Sequence, residues 1–153
     1  MKRYVLGLMI ISLSASVYAE VKVSNAWVKP TAPGQPVAGA YMQLTSDTDV
    51  DVVSASSAVA AKTEIHEMNM VGDVMKMRRI DELALKAGKP VDLKPGGYHL
   101  MLIDLDHQIK AGEIVPIELV TRDKAGKKNT IYLKVSAQPS PLKADGMQMH
   151  DHQ

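Results

Sequence analysis

The sequence predicts a single all-β domain, a Greek-key β-sandwich or barrel, followed by a flexible C-terminal tail. From Val21 to Val135 the chain runs in short alternating or β-branched segments separated by turn residues, at the spacing of a sandwich or barrel. Helical periodicity is weak, with only Ala58 to Lys62 or Asp81 to Lys86 able to hold a helical turn, and there is no internal repeat. With 153 residues, 46% apolar and 23% charged, the chain is long enough to bury roughly two-thirds of its unfolded surface and form its own core.

The N-terminus reads as an address. Lys2 and Arg3 precede an apolar run from Tyr4 to Leu13, and small residues then lead to Val17-Tyr18-Ala19. That is the pattern of a secretory signal peptide, residues 1–19, cleaved after Ala19. The apolar run is too short to cross roughly 30 Å of hydrocarbon, so no membrane span is expected after cleavage. The signal is of a bacterial kind, and the expected location is the periplasm. Removing it leaves 16 basic and 17 acidic residues, a formal charge of −1. Without a basic stripe there is no case for nucleic acid as a partner. Cysteine is absent, which excludes disulfides, thiolate metal sites, a lipidated cysteine and a thiolate-based blue-copper centre.

The expected domain is residues 20–137. Val21 to Val28 is its first strand, stopped by Pro30, Pro33, Gly34 and Pro36, which no strand interior tolerates. Val37 to Thr45 and Val50 to Ser54 follow. Thr63 to Met70 and Val74 to Ile80 flank Gly72-Asp73, a tight hairpin turn. Gly97 to Leu105 comes after Pro95-Gly96, and Glu113 to Arg122 and Asn129 to Val135 close the domain across an Asp123-to-Lys128 turn. Residues 138–153 are rich in Pro, Ser, Lys and Asp and end in a Met- and His-rich stretch, the expected tail.

Residues i and i+2 of a strand share a face, so Glu64, His66, Met68 and Met70 point one way. A two-residue turn at Gly72-Asp73 sets Met70 opposite Met75 and Met68 opposite Met77, with His66 diagonal to Met77. His99 and Met101 form a second i, i+2 pair. Thioether and imidazole donors suit Cu(I), whereas zinc and hard cations favour thiolate, imidazole or oxygen. Outside the cytoplasm a thioether is the safer soft donor, because thiols there are drawn into disulfides. Packing is the competing explanation, since ten methionines could replace the missing phenylalanines in a core. The residues alone do not choose Met77 over Met68 or Met75 as a ligand.

The spacing resembles a known family. His66, ten residues, Met77, twenty-one residues and His99-Leu-Met101 reproduce the motif of the periplasmic copper chaperones written PCu(A)C, with no departure in spacing. Asn25-Ala-Trp27, Ala40-Tyr41-Met-Gln-Leu44, Glu64-Ile-His66-Glu and Leu93-Lys-Pro-Gly-Gly97 also resemble it, over about Val21 to Val135. The resemblance implies a cupredoxin-like fold and a Cu(I) site made by His66, Met77, His99 and Met101. It implies delivery of copper to a partner, the copper-centre subunit of a respiratory cytochrome oxidase or another copper chaperone, by a monomer that is not an enzyme. Copper storage or resistance in the periplasm is the alternative.

In the tail, Met147, Met149, His150 and His152 form a compact donor cluster. Short His-rich tracts can bind metal, and this one is a candidate second copper site, its imidazoles suited to Cu(II). His107, beside Asp104 and Asp106, reads as a surface histidine, Asp47, Asp49 and Asp51 as a solvated edge, and Trp27 as a core anchor.

Overall fold

The computed structural model describes residues 19–141. Its strands are β1 (Val21–Val28), β2 (Val37–Ser46), β3 (Val50–Ser56), β4 (Ala60–Val71), β5 (Val74–Ile80), β6 (Leu83–Leu85), β7 (Val91–Leu93), β8 (His99–Leu105), β9 (Ile114–Asp123) and β10 (Lys128–Ser136). The signal peptide expected at residues 1–19 lies outside the described residues apart from Ala19, as do the tail residues from 142 onward.

Alternation sets the core. Along β2, Ala38, Ala40, Met42 and Leu44 are buried while their neighbours are only partly covered; Val115, Ile117 and Leu119 repeat the pattern on β9. Leu100 and Leu102 of β8 and Ile65 of β4 complete the centre. No phenylalanine is needed, because Leu, Ile and Val fill the space between the walls.

The strands form one antiparallel sheet in the order β1-β2-β8-β4-β3-β9-β10, with β5 on β4, β6 on β3 and β7 on β2. The two ends of this order meet where Val28 bridges Ala137 and the Gln138 N–H donates to the Val28 carbonyl at 2.9 Å. The result is a nearly closed cupredoxin-like barrel, as the sequence implies. Gln138, where the tail was expected to begin, is therefore still tied to β1. Among the described residues, no helix is long and apolar enough to cross a membrane.

Neither segment able to hold a helical turn forms one. Ala60 to Lys62 continue β4, and Leu83 to Leu85 form β6, with Leu83 and Leu85 buried and Ala84 exposed. Pairing with β3, Val50 opposite Leu85 and Val52 opposite Leu83, imposes period two on a segment with no strong local preference. The three-residue β7 was likewise not legible.

Two local features position the outer wall of the barrel. Between Ser24 and Trp27 the β1–β2 register shifts by one residue, with Asn25 in the left-handed region at φ 52°. Asn tolerates that conformation, and the bulge turns Trp27 onto the same face as Tyr41, where the two rings stack 4.4 Å apart. Trp27 is thus a buried anchor, 5% exposed and packed on Tyr41. At Gly72, φ is 63° and Asp73 stays out of the left-handed region, the backbone pattern of a type II′ hairpin turn.

Candidate metal centre

β4 is the strand on which the site is built. On one edge its residues Ala60 to His66 pair with β8; on the other, Ile65 to Val71 pair with β5. His66 lies where both neighbours are present. Directly opposite it on β8 stands His99, with ring centroids 5.7 Å apart and planes at 53°. Directly opposite it on β5 is Arg79, so Met77 is diagonal, as the two-residue turn requires. Glu64 stands opposite Met101. Ile65 and Leu100, one residue along each strand, point into the core, so the donors occupy the outer wall of the barrel.

Each imidazole is held by a group that can only accept. The His66 Nε2–H donates to the Glu64 carboxylate at 2.8 Å, and His66 Nδ1 is buried with no hydrogen-bond partner. The His99 Nδ1–H donates to the Gly97 carbonyl at 3.1 Å, leaving Nε2 as its unprotonated nitrogen. These contacts fix one tautomer per ring and leave one lone pair on each for an electrophile. The Gly97 carbonyl also accepts the Met68 N–H at 3.2 Å, joining the β4 overhang to the turn that positions His99.

Electrostatics favour a neutral ring at His99. His99 is 5% exposed; burial holds its pKa below the ordinary value, and the His66 charge acts the same way against the opposing Gly97 carbonyl. Glu64 is held below the usual carboxylate range, first by the His66 hydrogen bond and then, against some desolvation, by the positive charge of Arg79. Behind His99, Tyr41 lies at a ring separation of 6.3 Å and stacks on Trp27, an aromatic backing that sequence reasoning did not connect to the site.

An open cleft of about 290 Å³ runs over these residues, lined by Met68, Met77, His99 and Met101 together with Tyr41 and Pro95. Three of the four motif residues therefore meet in one cleft, and the fourth, His66, faces His99. Met68 enters it as well, so the structure, like the residue pattern, leaves two thioethers of the β4–β5 hairpin within the cleft. Met77 is 48% exposed, whereas Met42 is buried at 2% in the core; methionine serves as packing at Met42 and not at the hairpin. A larger hollow of about 470 Å³ between Trp27, Leu93 and Pro95 contains no histidine. No three His, Asp or Glu side chains converge on a metal-binding point among the described residues.

The remaining candidates fall elsewhere. Met147, Met149, His150 and His152 lie outside the described residues. His107 is an exposed histidine bonded to Glu113 and Asp106, which raise its pKa in that order. Asp49 is more than a solvated edge: it accepts the Ala87 N–H at 2.9 Å and pairs with Lys124 and Lys86.

Comparison with known proteins places this geometry. The LpqE-like family, described as putative lipoprotein LpqE-like, matches residues 21–135. Putative lipoprotein Lxx21020 of Leifsonia xyli subsp. xyli is 31% identical over 100 residues, 65% of this chain, and the match spans only 60% of that relative's length. Among solved structures, the copper-bound PCuAC domain from PmoF2 superposes with a TM-score of 0.58 at 22% identity, over 77% of this chain and 93% of that domain. CuI-DR1885 from Deinococcus radiodurans superposes with a TM-score of 0.55 at 25% identity, over 76% of this chain and 78% of that one. The chain belongs to the LpqE-like family, and its fold is that of the PCuAC domains.

Proposed function

We propose that the protein is an exported copper metallochaperone that holds Cu(I) with His66, Met77, His99 and Met101. One observation carries the reading: two histidines opposed across β4 and β8, each with one nitrogen pinned by an acceptor and the other free, beside a cleft that Met77 and Met101 line. Two imidazoles and two thioethers are a donor set for Cu(I) rather than for zinc or calcium. The copper-bound PCuAC relatives support the choice of metal. Met77 is half-exposed, which suits ligand exchange with a recipient better than long-term burial.

In this reading the ion is cargo. Glu64 and the Gly97 carbonyl keep the two rings in their binding tautomers, and Arg79 balances the Glu64 charge. Residues 1–19 direct export and are removed, and the domain of residues 20–137 acts as a monomer in the periplasm. The lipoprotein description of the relatives agrees with an envelope location, although these 153 residues hold no cysteine to carry a lipid. The recipient is the copper-centre subunit of a cytochrome oxidase or another copper chaperone. In the tail of residues 138–153, Met147, Met149, His150 and His152 hold a second copper, captured as Cu(II). The reading is of a carrier rather than an enzyme.

An anaerobic Cu(I) competition titration against a chromophoric chelator tests this. The whole chain and a variant with Met147, Met149, His150 and His152 changed to Ala should both bind one tight equivalent. A folded Met77→Leu, Met101→Leu double variant on the tail-substituted background should lose it. No tight binding by the tail-substituted chain overturns the strand site. Oxidase assembly compared with growth on high copper in a deletion strain separates delivery from storage or resistance.

A further inference from the structure

The β4–β5 hairpin carries four methionines on one face. Met68 stands directly opposite Met77, and Met70 directly opposite Met75. Opposed residues of an antiparallel pair share a face with Cβ atoms about 5 Å apart, and successive same-face pairs lie about 7 Å apart along the strand. The inner pair lines the cleft with His99 and Met101. The outer pair lies beyond it, with Met70 61% and Met75 44% exposed. Packing does not account for thioethers so placed, since an exposed side chain gains little from the hydrophobic effect.

The hairpin overhangs the barrel. Beyond His66, β4 has no strand partner except β5, and the Met68 N–H to Gly97 bond is its last tie to the β7–β8 turn. The type II′ turn at Gly72-Asp73 fixes the register, so the outer pair sits at the projecting tip, two residues out from the cleft pair on each strand. Two facing thioethers make a weak, soft and proton-free donor pair, suited to d¹⁰ ions such as Cu(I) or Ag(I).

We propose that Met70 and Met75 form a second, thioether-only station for a soft monovalent ion, and that Cu(I) moves between it and the cleft through the Met68–Met77 pair. The proposal rests on the reading of the cleft as a Cu(I) site. Each step is ligand exchange: one sulfur–copper bond forms as another breaks, copper stays Cu(I), and neither electron nor proton is released, so no co-reactant is required. The tip is where a recipient's own soft ligands would first reach the ion.

The test is NMR of the chain with Met147, Met149, His150 and His152 changed to Ala, labelled at the methionine methyl carbons and titrated with Ag(I) as a redox-silent probe. The first equivalent should move Met77 and Met101, and the second should move Met70 and Met75 together, with Met68 responding to both. Movement of Met77 and Met101 alone, with Met70 and Met75 still in excess silver, overturns the station and leaves the cleft reading intact. Movement of Met70 and Met75 alone removes the cleft site, and with it the relay. A Met70→Leu, Met75→Leu variant should lose the second, weaker equivalent and release the remaining copper to a chelator more slowly, by about an order of magnitude. An unchanged release rate overturns the relay even if the silver shifts are seen.

Discussion

The Tyr41 hydroxyl occupies the space that a Cβ would take at Gly39. Gly39 stands opposite Met101 on β8, and Tyr41 folds across it beside His99, so the close approach is part of the cleft wall. Gly39→Ala should drive the ring out of place and destabilise the fold by about 1–3 kcal/mol, the range for an overpacked site. In a Tyr41→Ala background the same substitution should cost little. Thermal unfolding of the four proteins of this double-mutant cycle measures the coupling; additive losses would mean that the ring and the glycine do not compete for space.

In the proposed copper site, Glu64 acts on the metal through His66. Its carboxylate fixes the Nε2–H and leaves the buried Nδ1 unprotonated. Glu64→Gln keeps the shape but removes the charge, and the amide can equally donate, so the ring is no longer held in one tautomer. Cu(I) affinity should fall by about 10–100-fold, the usual effect of losing a partner that orients a ligand. Competition titration of the folded variant reads this directly. An unchanged affinity would show that the carboxylate serves only the Arg79 pair on the surface.

Acid should loosen the barrel at Asp49. The Ala87 N–H, then the Lys124 hydrogen bond, lower its pKa from 3.8 to about 2. A depressed carboxylate contributes stability that is fully present above the unfolded-state value and is lost as pH falls through the folded one. Over that window the unfolded chain takes up the proton more readily than the folded one, which shifts the balance toward unfolding. Denaturant midpoints should therefore drop between about pH 4 and pH 2, and Asp49→Asn should remove part of that slope. Equal slopes in both proteins would assign the acid sensitivity to other carboxylates.

What could be read from the sequence follows from how local each signal is. The β4–β5 register was legible because two turn residues dictate it, which placed Met68 opposite Met77 and His66 diagonal to Met77. The opposition of His66 and His99 depends on β4 pairing with β8, a non-local choice that no local pattern encodes; only the motif spacing hinted that the two residues belong together. Gly97 was read as the start of a strand that in fact begins at His99, and not as the carbonyl that fixes the His99 tautomer. Leu83 to Leu85 looked as able to turn as to extend, and β3 decided it. Trp27 was legible as a buried anchor but its stacking on Tyr41 was not, because a one-residue bulge at Asn25 has no unambiguous sequence mark.

Met42 and Met77 give the sharpest contrast between packing and binding. Met42 lies in the core at 2% exposure and Met77 on the hairpin at 48%. Met42→Ala should cost about 2–5 kcal/mol, because it removes buried atoms and leaves a cavity, while one Cu(I) is still bound by the folded fraction. Met77→Ala should change stability by about 0.5 kcal/mol or less, as surface substitutions do, while Cu(I) affinity drops. Denaturant unfolding of the metal-free proteins and Cu(I) competition on the same preparations provide both readouts. If methionine were only the bulky filler of a chain without phenylalanine, both variants would lose stability in proportion to burial and neither would alter copper. The opposite ordering of the two effects, stability at Met42 and affinity at Met77, is what a binding role for the hairpin requires.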